Sequence, residues 1–162
     1  MDRSKTSAGL LMFRMGGEGL AVLLVHPGGP YFQRKDEGAW TIPKGEAAEG
    51  EDLLTRARVE FEEELGFAPS GNWIELGSVR QKGGKMVHAW AFAGDLPSGF
   101  ELRSNLFEIE WPPRSGKRTQ FPEVDRAVFF PVAEARLKIN PAQTVFLDRL
   151  LEGLKISGSA KG

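Results

Sequence analysis

The distribution of apolar and polar residues along the chain predicts several short strands. Residues 8–14 and 20–26 are largely apolar and are separated by a Gly-rich segment, which predicts a β-hairpin. The run 22–25 is apolar without alternation, so the second strand is predicted to be covered on both faces. Further extended segments are predicted at residues 40–43, 73–80, 86–93, 106–111 and 127–130.

Two longer segments carry apolar residues at helical spacing. The first is 51–65, which Gly66 follows as a left-handed cap. The second is 141–154, preceded by a short helical turn at 131–135. Residues 112–122 are rich in proline and charge and predict a long exposed loop. This order of elements indicates the α+β class, with a layered α/β/α arrangement on a central mixed sheet.

Length and composition fit one domain. The chain has 162 residues, of which 27% are charged and 41% hydrophobic. We assign residues 8–155 to a single domain, 1–7 to a flexible N-terminus and 156–162 to a disordered tail. The formal net charge of −1 gives no overall attraction to nucleic acid or to anionic membranes. The chain has no cysteine, which excludes disulfides, thiol catalysis and zinc–thiolate sites.

No apolar run approaches the roughly 18 residues of a membrane span, and no continuous basic stripe indicates nucleic-acid binding. We therefore expect a cytoplasmic protein without membrane or nucleic-acid partners, either a monomer or a homodimer.

The first predicted helix carries a cluster of carboxylates. Glu60, Glu63 and Glu64 follow a turn at 43–45, and at about 100° per residue Glu60 and Glu64 share one face while Glu63 flanks it. Like charges at this spacing destabilise a helix by roughly 0.2–0.5 kcal/mol per pair, whereas a hard divalent cation would be coordinated by them. The pattern therefore predicts a metal site. A solvated amphipathic helix is the alternative.

The residues around this helix resemble the Nudix box. That motif reads Gly, five residues, Glu, seven residues, then Arg-Glu-apolar-any-Glu-Glu-any-Gly-apolar. Here Gly45, Glu51 and the run Val59-Glu60-Phe61-Glu62-Glu63-Glu64-Leu65-Gly66-Phe67 occupy the same positions. Every defining position agrees except one, because Val59 stands where the family carries arginine.

The resemblance implies a Nudix-type α/β/α sandwich and a hydrolase that uses Mg²⁺ or Mn²⁺. The implied reaction is attack by water on a phosphoanhydride bond of a nucleoside diphosphate-linked substrate. The implied metal ligands are Glu60, Glu63 and Glu64, with the Gly45 carbonyl as an extra donor. Glu51 is a box residue with either a structural role at the helix start or a supporting role at the metal.

The general base is predicted to be a carboxylate in the box or in a later loop. Glu63 is the candidate in the box. Glu123 is the candidate in the loop, because several Nudix enzymes place a carboxylate just before a similar strand. Glu108 and Glu110 are alternatives on the preceding strand.

The missing box arginine has a candidate substitute. In the family that arginine is expected to hold the glutamates by charge-assisted hydrogen bonds, which Val59 cannot make. Arg56 precedes Glu60 by one helical turn, so its guanidinium is predicted to reach the same cluster. We hypothesise that Arg56 takes part in catalysis in this way and only partly replaces the arginine. Changing Val59 to arginine should then raise turnover.

The segment 40–45 and the turn near Glu123 look like the Nudix branch that cleaves diadenosine polyphosphates. A small-molecule nucleotide, in particular a (di)nucleoside polyphosphate, is therefore the expected substrate. Two alternatives are a sanitising nucleoside triphosphate pyrophosphohydrolase and a weakly active or non-catalytic nucleotide-binding module. Candidate substrate-binding residues are cations in predicted loops and an aromatic side chain for base stacking: Lys44, Lys82, Lys85, Arg114, Lys117, Arg118 and Trp40.

Overall fold

A computed structural model describes residues 5–17 and 19–159. The strands are β1 (Thr6–Gly16), β2 (Gly19–Pro27), β3 (Lys44–Glu46), β4 (Ile74–Arg80), β5 (Met86–Ala93), β6 (Leu106–Glu110), β7 (Arg118–Pro122) and β8 (Val124–Pro131). The helices are α1 (Leu53–Leu65), α2 (Val132–Lys138) and α3 (Thr144–Ser159), with short 3₁₀ turns at Lys82–Gly84 and Pro141–Gln143.

The central sheet is mixed, as predicted. Its strand order is β4-β5-β1-β2-β8, and β3 adds to β1 as a sixth strand. β1 and β5 run parallel, whereas the other pairs in this sheet are antiparallel. β6 and β7 form a separate two-stranded hairpin.

Helices cover both faces of the sheet, because successive side chains of a strand point to opposite faces. On one face, α1 buries Ala57, Phe61 and Leu65 in a cluster that includes Leu10 and Leu23. The opposite cluster joins residues of α2 and α3 to the alternate strand positions: Leu11, Leu24, Trp40, Ala135, Phe146, Leu147 and Leu150. The predicted three-layer α+β arrangement is therefore present, and β2 is covered on both faces.

The prediction of a loop over 112–122 is wrong for its second half. Arg118–Pro122 pairs with Leu106–Glu110 in register, and the rings of Phe107 and Phe121 lie 6.1 Å apart. Cross-strand aromatic pairing stabilises a hairpin, and Pro122 is tolerated because it stands at the strand end.

Several element boundaries differ from the sequence prediction. β1 begins at Thr6 and not at residue 8, and β8 begins at Val124 and not at 127. α3 extends to Ser159, whereas the sequence analysis placed a disordered tail from 156; residues 1–4 and 160–162 lie outside the described part of the chain. In the described residues, no helix has both the length and the apolar composition that crossing a lipid bilayer requires.

Candidate functional site

The turn before α1 brings the backbone of β3 against a carboxylate of the helix. A Cβ atom added at Gly45 would lie 2.0 Å from Oε1 of Glu60 and 2.1 Å from its Cδ. Only glycine permits this approach. Glycine is needed at position 45 because a side chain would collide with Glu60. Its backbone conformation does not require glycine, because Gly45 does not have a positive φ. Gly66 does, at 89°, and it ends α1 as predicted.

Three carboxylates converge beside this turn. Glu60 and Glu64 lie on α1, and Glu123 is the residue just before β8. Each offers an oxygen, and these oxygens all lie within 4.8 Å of one another. Glu64 is only 5% exposed, and its carboxylate accepts a hydrogen bond from the backbone N–H of Lys44. The fold therefore brings Glu123 next to two helix residues that lie about 60 positions earlier in the chain.

The cluster is electrostatically unfavourable without a cation. Burial, followed by the charges of Glu60 and Glu123, raises the pKa of Glu64 to about 9. Burial also raises the pKa of Glu60, against the hydrogen bond from Arg56, and it raises the pKa of Glu123, with Glu60 and Glu63 adding to the shift. A hard divalent cation would favour the ionised form of all three groups.

Arg56 holds two of the box carboxylates. Its Nη1 donates to Oε2 of Glu60 at 3.0 Å, and its Nε and Nη2 donate to Oε2 of Glu51 at 3.0 and 2.8 Å. The guanidinium thus lies where the helix spacing places it, next to Glu60. These hydrogen bonds lower the pKa of Glu51.

Glu51 does not contact the free amides at the start of α1, which corrects one of the two roles considered for it. Asp52 caps the helix instead, accepting from the backbone N–H of Thr55 at 3.0 Å. Glu51 accepts from the backbone N–H of Ala48 at 2.9 Å and from Arg56. Its structural role is to join the turn to Arg56.

A backbone bridge positions Glu123 against α1. The N–H of Asn105 donates to the carbonyl of Glu63 at 3.1 Å, and the N–H of Glu123 donates to the carbonyl of Asn105 at 2.8 Å. Ser104 adds a contact, since its Oγ accepts from the N–H of Val124 at 3.0 Å. Neither residue was predicted from the sequence. The backbone hydrogen bonds of Asn105 leave no side-chain signature, and the partner of the Ser104 hydroxyl lies 20 residues away in the chain.

The remaining predicted acids lie elsewhere. The carboxylate of Glu63 is not in the group of three, although its charge raises the pKa of Glu60 and Glu123. Glu108 pairs with Arg118 at 2.8 Å, and Glu110 accepts from the backbone N–H of Gly116 at 2.7 Å. Both therefore belong to the β6–β7 hairpin.

The predicted cationic residues do not form one positively charged surface around the carboxylate cluster. Lys44 lies beside the cluster, where burial lowers its pKa against the charge of Glu64. Lys85 pairs with Glu46 at 3.6 Å, and Lys82 belongs to the neighbouring 3₁₀ turn. The others lie in or next to the β6–β7 hairpin: Arg114, Lys117 and Arg118.

Trp40 belongs to the core. It is 2% exposed, its ring contacts Phe130 with centroids 4.9 Å apart, and its Nε1 donates to Asp36 at 2.8 Å. This burial is incompatible with the purine stacking predicted for Trp40. Tyr31 and Trp111 form another aromatic pair, with ring centroids 5.3 Å apart.

Comparison with known proteins gives a family and a set of similar folds. The family model described as the NUDIX domain matches residues 3–150. No curated protein matches the chain. An Ap4A hydrolase of C. elegans, solved as a binary complex, is 19% identical with a TM-score of 0.66, over 92% of this chain and 98% of that one.

Two further solved structures are similar. The NUDIX domain of Shewanella oneidensis NrtR, complexed with ADP ribose, is 13% identical with a TM-score of 0.65, over 95% of this chain and 90% of that one. A mutT/nudix family protein from Listeria innocua is 16% identical with a TM-score of 0.66, over 99% of both chains. At these identities the likeness concerns the fold.

Proposed function

The chain belongs to the Nudix family, and from that premise we propose that it hydrolyses a phosphoanhydride bond in a nucleoside diphosphate-linked substrate, with Mg²⁺ or Mn²⁺ as cofactor. The proposal rests on the convergence of Glu60, Glu64 and Glu123 within 4.8 Å. A cluster of partly buried carboxylates with raised pKa values is unfavourable alone and suited to a hard cation.

The donor set fits such a cation, because every candidate ligand is an oxygen. Glu60, Glu64 and Glu123 would hold it, with the Gly45 carbonyl as the extra donor that the family pattern implies. When bound, the metal would neutralise phosphate charge and acidify water. Arg56 fixes the orientation of Glu60 through the 3.0 Å contact, and Lys44 supplies positive charge beside Glu64.

Glu63 and Glu123 take different parts in this proposal. An oxygen of Glu123 lies within 4.8 Å of oxygens of Glu60 and Glu64, close enough for one cation to bind all three, so we assign Glu123 to the metal. Glu63 lies outside that group yet is close enough to raise the pKa of Glu60 and Glu123. It is therefore the candidate to accept the proton of the attacking water.

The proposed substrate is a (di)nucleoside polyphosphate. Support comes from the segment 40–45 and the position of Glu123, both similar to the diadenosine polyphosphate branch, and from the Ap4A hydrolase and the ADP-ribose complex among the similar folds.

A nucleotide panel tests the proposal. The purified chain is incubated with diadenosine and diguanosine polyphosphates, ADP-ribose and nucleoside triphosphates. Each reaction contains Mg²⁺, Mn²⁺ or chelator, and the products are identified by mass in ¹⁸O-labelled water. We expect metal-dependent cleavage of a dinucleotide with one labelled phosphate product. Monophosphate and pyrophosphate from triphosphates alone would indicate the sanitising reaction. Tight binding without metal-dependent products would indicate a binding module and contradict the proposed hydrolysis.

Glu123→Gln tests the assignment of that residue. Removing one anionic ligand should raise the Mg²⁺ concentration for half-maximal rate by about tenfold or more and lower kcat. Glu108→Gln is the matched control, because Glu108 pairs with Arg118 in the hairpin. A lower kcat with an unchanged metal requirement would instead make Glu123 the base. Unchanged values of both would remove it from the mechanism.

Arg56→Ala tests whether Arg56 takes the place of the missing box arginine. Glu51 and Glu60 would lose their shared donor, and we expect kcat to fall by about 10–100-fold. Arg58→Ala is the control, since Arg58 is exposed and lies over Trp73. Adding Val59→Arg should raise turnover in the native chain and restore part of the rate in Arg56→Ala. An unchanged or lower rate in both backgrounds would reject the account of Arg56.

A further inference from the structure

A cleft of about 300 Å³ lies between the β6–β7 hairpin and the loop after β2. One side is formed by the β6–β7 hairpin and its loop, through Trp111, Phe121 and Pro122. The other side is the loop after β2, and Asp125 of β8 also lines the cleft. This volume is at the lower end of the range for small-molecule sites. Pro122 and Asp125 flank Glu123 within two residues, so the lining of the cleft and a proposed metal ligand are neighbours in the chain.

A β-bulge turns Asp125 toward the cleft. His26 pairs with Arg126 and Pro27 pairs with Val124, so Asp125 is the extra residue of β8 in this ladder. Bulges re-aim side chains next to functional sites. Asp125 lies two residues from Glu123, which limits the distance between their Cα atoms to about 7 Å.

A hydrogen bond to His26 orients the side chain of Asp125. The Nδ1 of His26 lies 2.7 Å from Oδ1 of Asp125, and its Nε2 lies 2.7 Å from the carbonyl oxygen of Lys35. These two contacts fix the orientation of the His26 ring and of the Asp125 side chain. His26 is 1% exposed. Within residues 5–17 and 19–159, no group donates a hydrogen bond to Oδ2 of Asp125.

We propose that this cleft binds the base of the nucleotide substrate and prefers guanine. A carboxylate accepts hydrogen bonds only. The Watson–Crick edge of guanine offers two adjacent donors, N1–H and the N2 amino group, whereas adenine places the acceptor N1 beside its amino donor. Trp111 supplies an aromatic wall on which a base can stack. The inference rests on the proposed function for the idea that a nucleotide reaches the carboxylate cluster.

Binding without metal separates this inference from catalysis. The probes are GMP, IMP and AMP, titrated calorimetrically into the full chain in the presence of chelator. GMP should bind about tenfold or more tightly than AMP, because each good base contact contributes about 1–3 kcal/mol. IMP retains N1–H and lacks the amino group, so it should fall between them. Equal affinity for GMP and AMP, or no binding of either, would overturn the inference.

Two variants are expected to differ in their effect on the preference for GMP over AMP. Asp125→Asn replaces an acceptor pair by one acceptor and one donor, which suits adenine, so the GMP-to-AMP preference should fall to about one or invert. Trp111→Ala should weaken all three ligands by a similar factor and keep the preference. Asp148→Asn is the control, because Asp148 pairs with Arg136 on the opposite side of the fold. A preference retained in Asp125→Asn would contradict the assignment.

The two failures are distinguishable. Guanine-selective binding by a chain that cleaves no nucleotide would reject the proposed hydrolysis and leave the base site standing. Metal-dependent hydrolysis with equal kcat/KM for guanosine and adenosine substrates would leave the proposed function standing and reject the base site.

Discussion

Replacing Glu64 with glutamine is expected to lower turnover by about 10³-fold and to stabilise the metal-free protein. Burial and the neighbouring carboxylates raise the pKa of Glu64 to about 9, from an ordinary value of 4.5. The folded state therefore holds a proton that the unfolded state releases, so metal-free stability falls as pH rises from about 4.5 toward 9. Glutamine is neutral at every pH and avoids this loss.

Chemical denaturation in chelator at pH 5 and pH 8 measures the effect. Glu64→Gln should raise the free energy of unfolding by roughly 2 kcal/mol at pH 8, and by much less at pH 5. Added Mg²⁺ should stabilise the native chain and leave the variant unchanged. Glu62→Gln, at an exposed position of the same helix, should alter neither quantity. A variant that is less stable at pH 8, or that keeps full activity, would contradict this account of Glu64.

Gly45→Ala is expected to lower activity by about 10²-fold or more. The new methyl group would lie 2.0 Å from Oε1 of Glu60, so the carboxylate must move away from its neighbours. The change adds no charge and removes no ligand. We therefore expect weaker binding of Mn²⁺, measured by titration calorimetry, to account for much of the lost rate.

Gly16→Ala is the matched control for this prediction. Gly16 has no positive φ, and nothing lies within 4 Å of a Cβ added there. The Gly16→Ala variant should bind Mn²⁺ and turn over substrate like the native chain. Equal Mn²⁺ affinity in Gly45→Ala and Gly16→Ala would show that the approach of Gly45 to Glu60 does not shape the metal site.

Local pattern predicted the helix of the site well. The spacing of Glu60 and Glu64, the left-handed cap at Gly66 and the apolar face of Phe61 all follow from helical geometry. The mixed sheet also followed from the order of elements. The features of the helix depend on residues within a few turns of one another, whereas the sheet was predicted only as a class and not in its strand order.

Features that depend on distant segments were not predictable in the same way. The role of Asn105 between α1 and β8 is a backbone contact, and the bulge at Asp125 is a matter of register. Trp40 was assigned to substrate because its type suits stacking, yet packing against Phe130 buries it. Strand β7 was not predicted, because Pro122 and the charged residues near it indicated a loop. Its pairing with β6 depends on a separate segment of the chain.

Anomalous diffraction from crystals soaked in Mn²⁺ would show directly whether the three carboxylates bind a cation. We expect a peak at about 2.0–2.2 Å from carboxylate oxygens of Glu60, Glu64 and Glu123. The peak should be absent in Glu64→Gln under the same conditions. Carboxylates that stay separated, with no peak between them at saturating Mn²⁺, would contradict the proposed metal site.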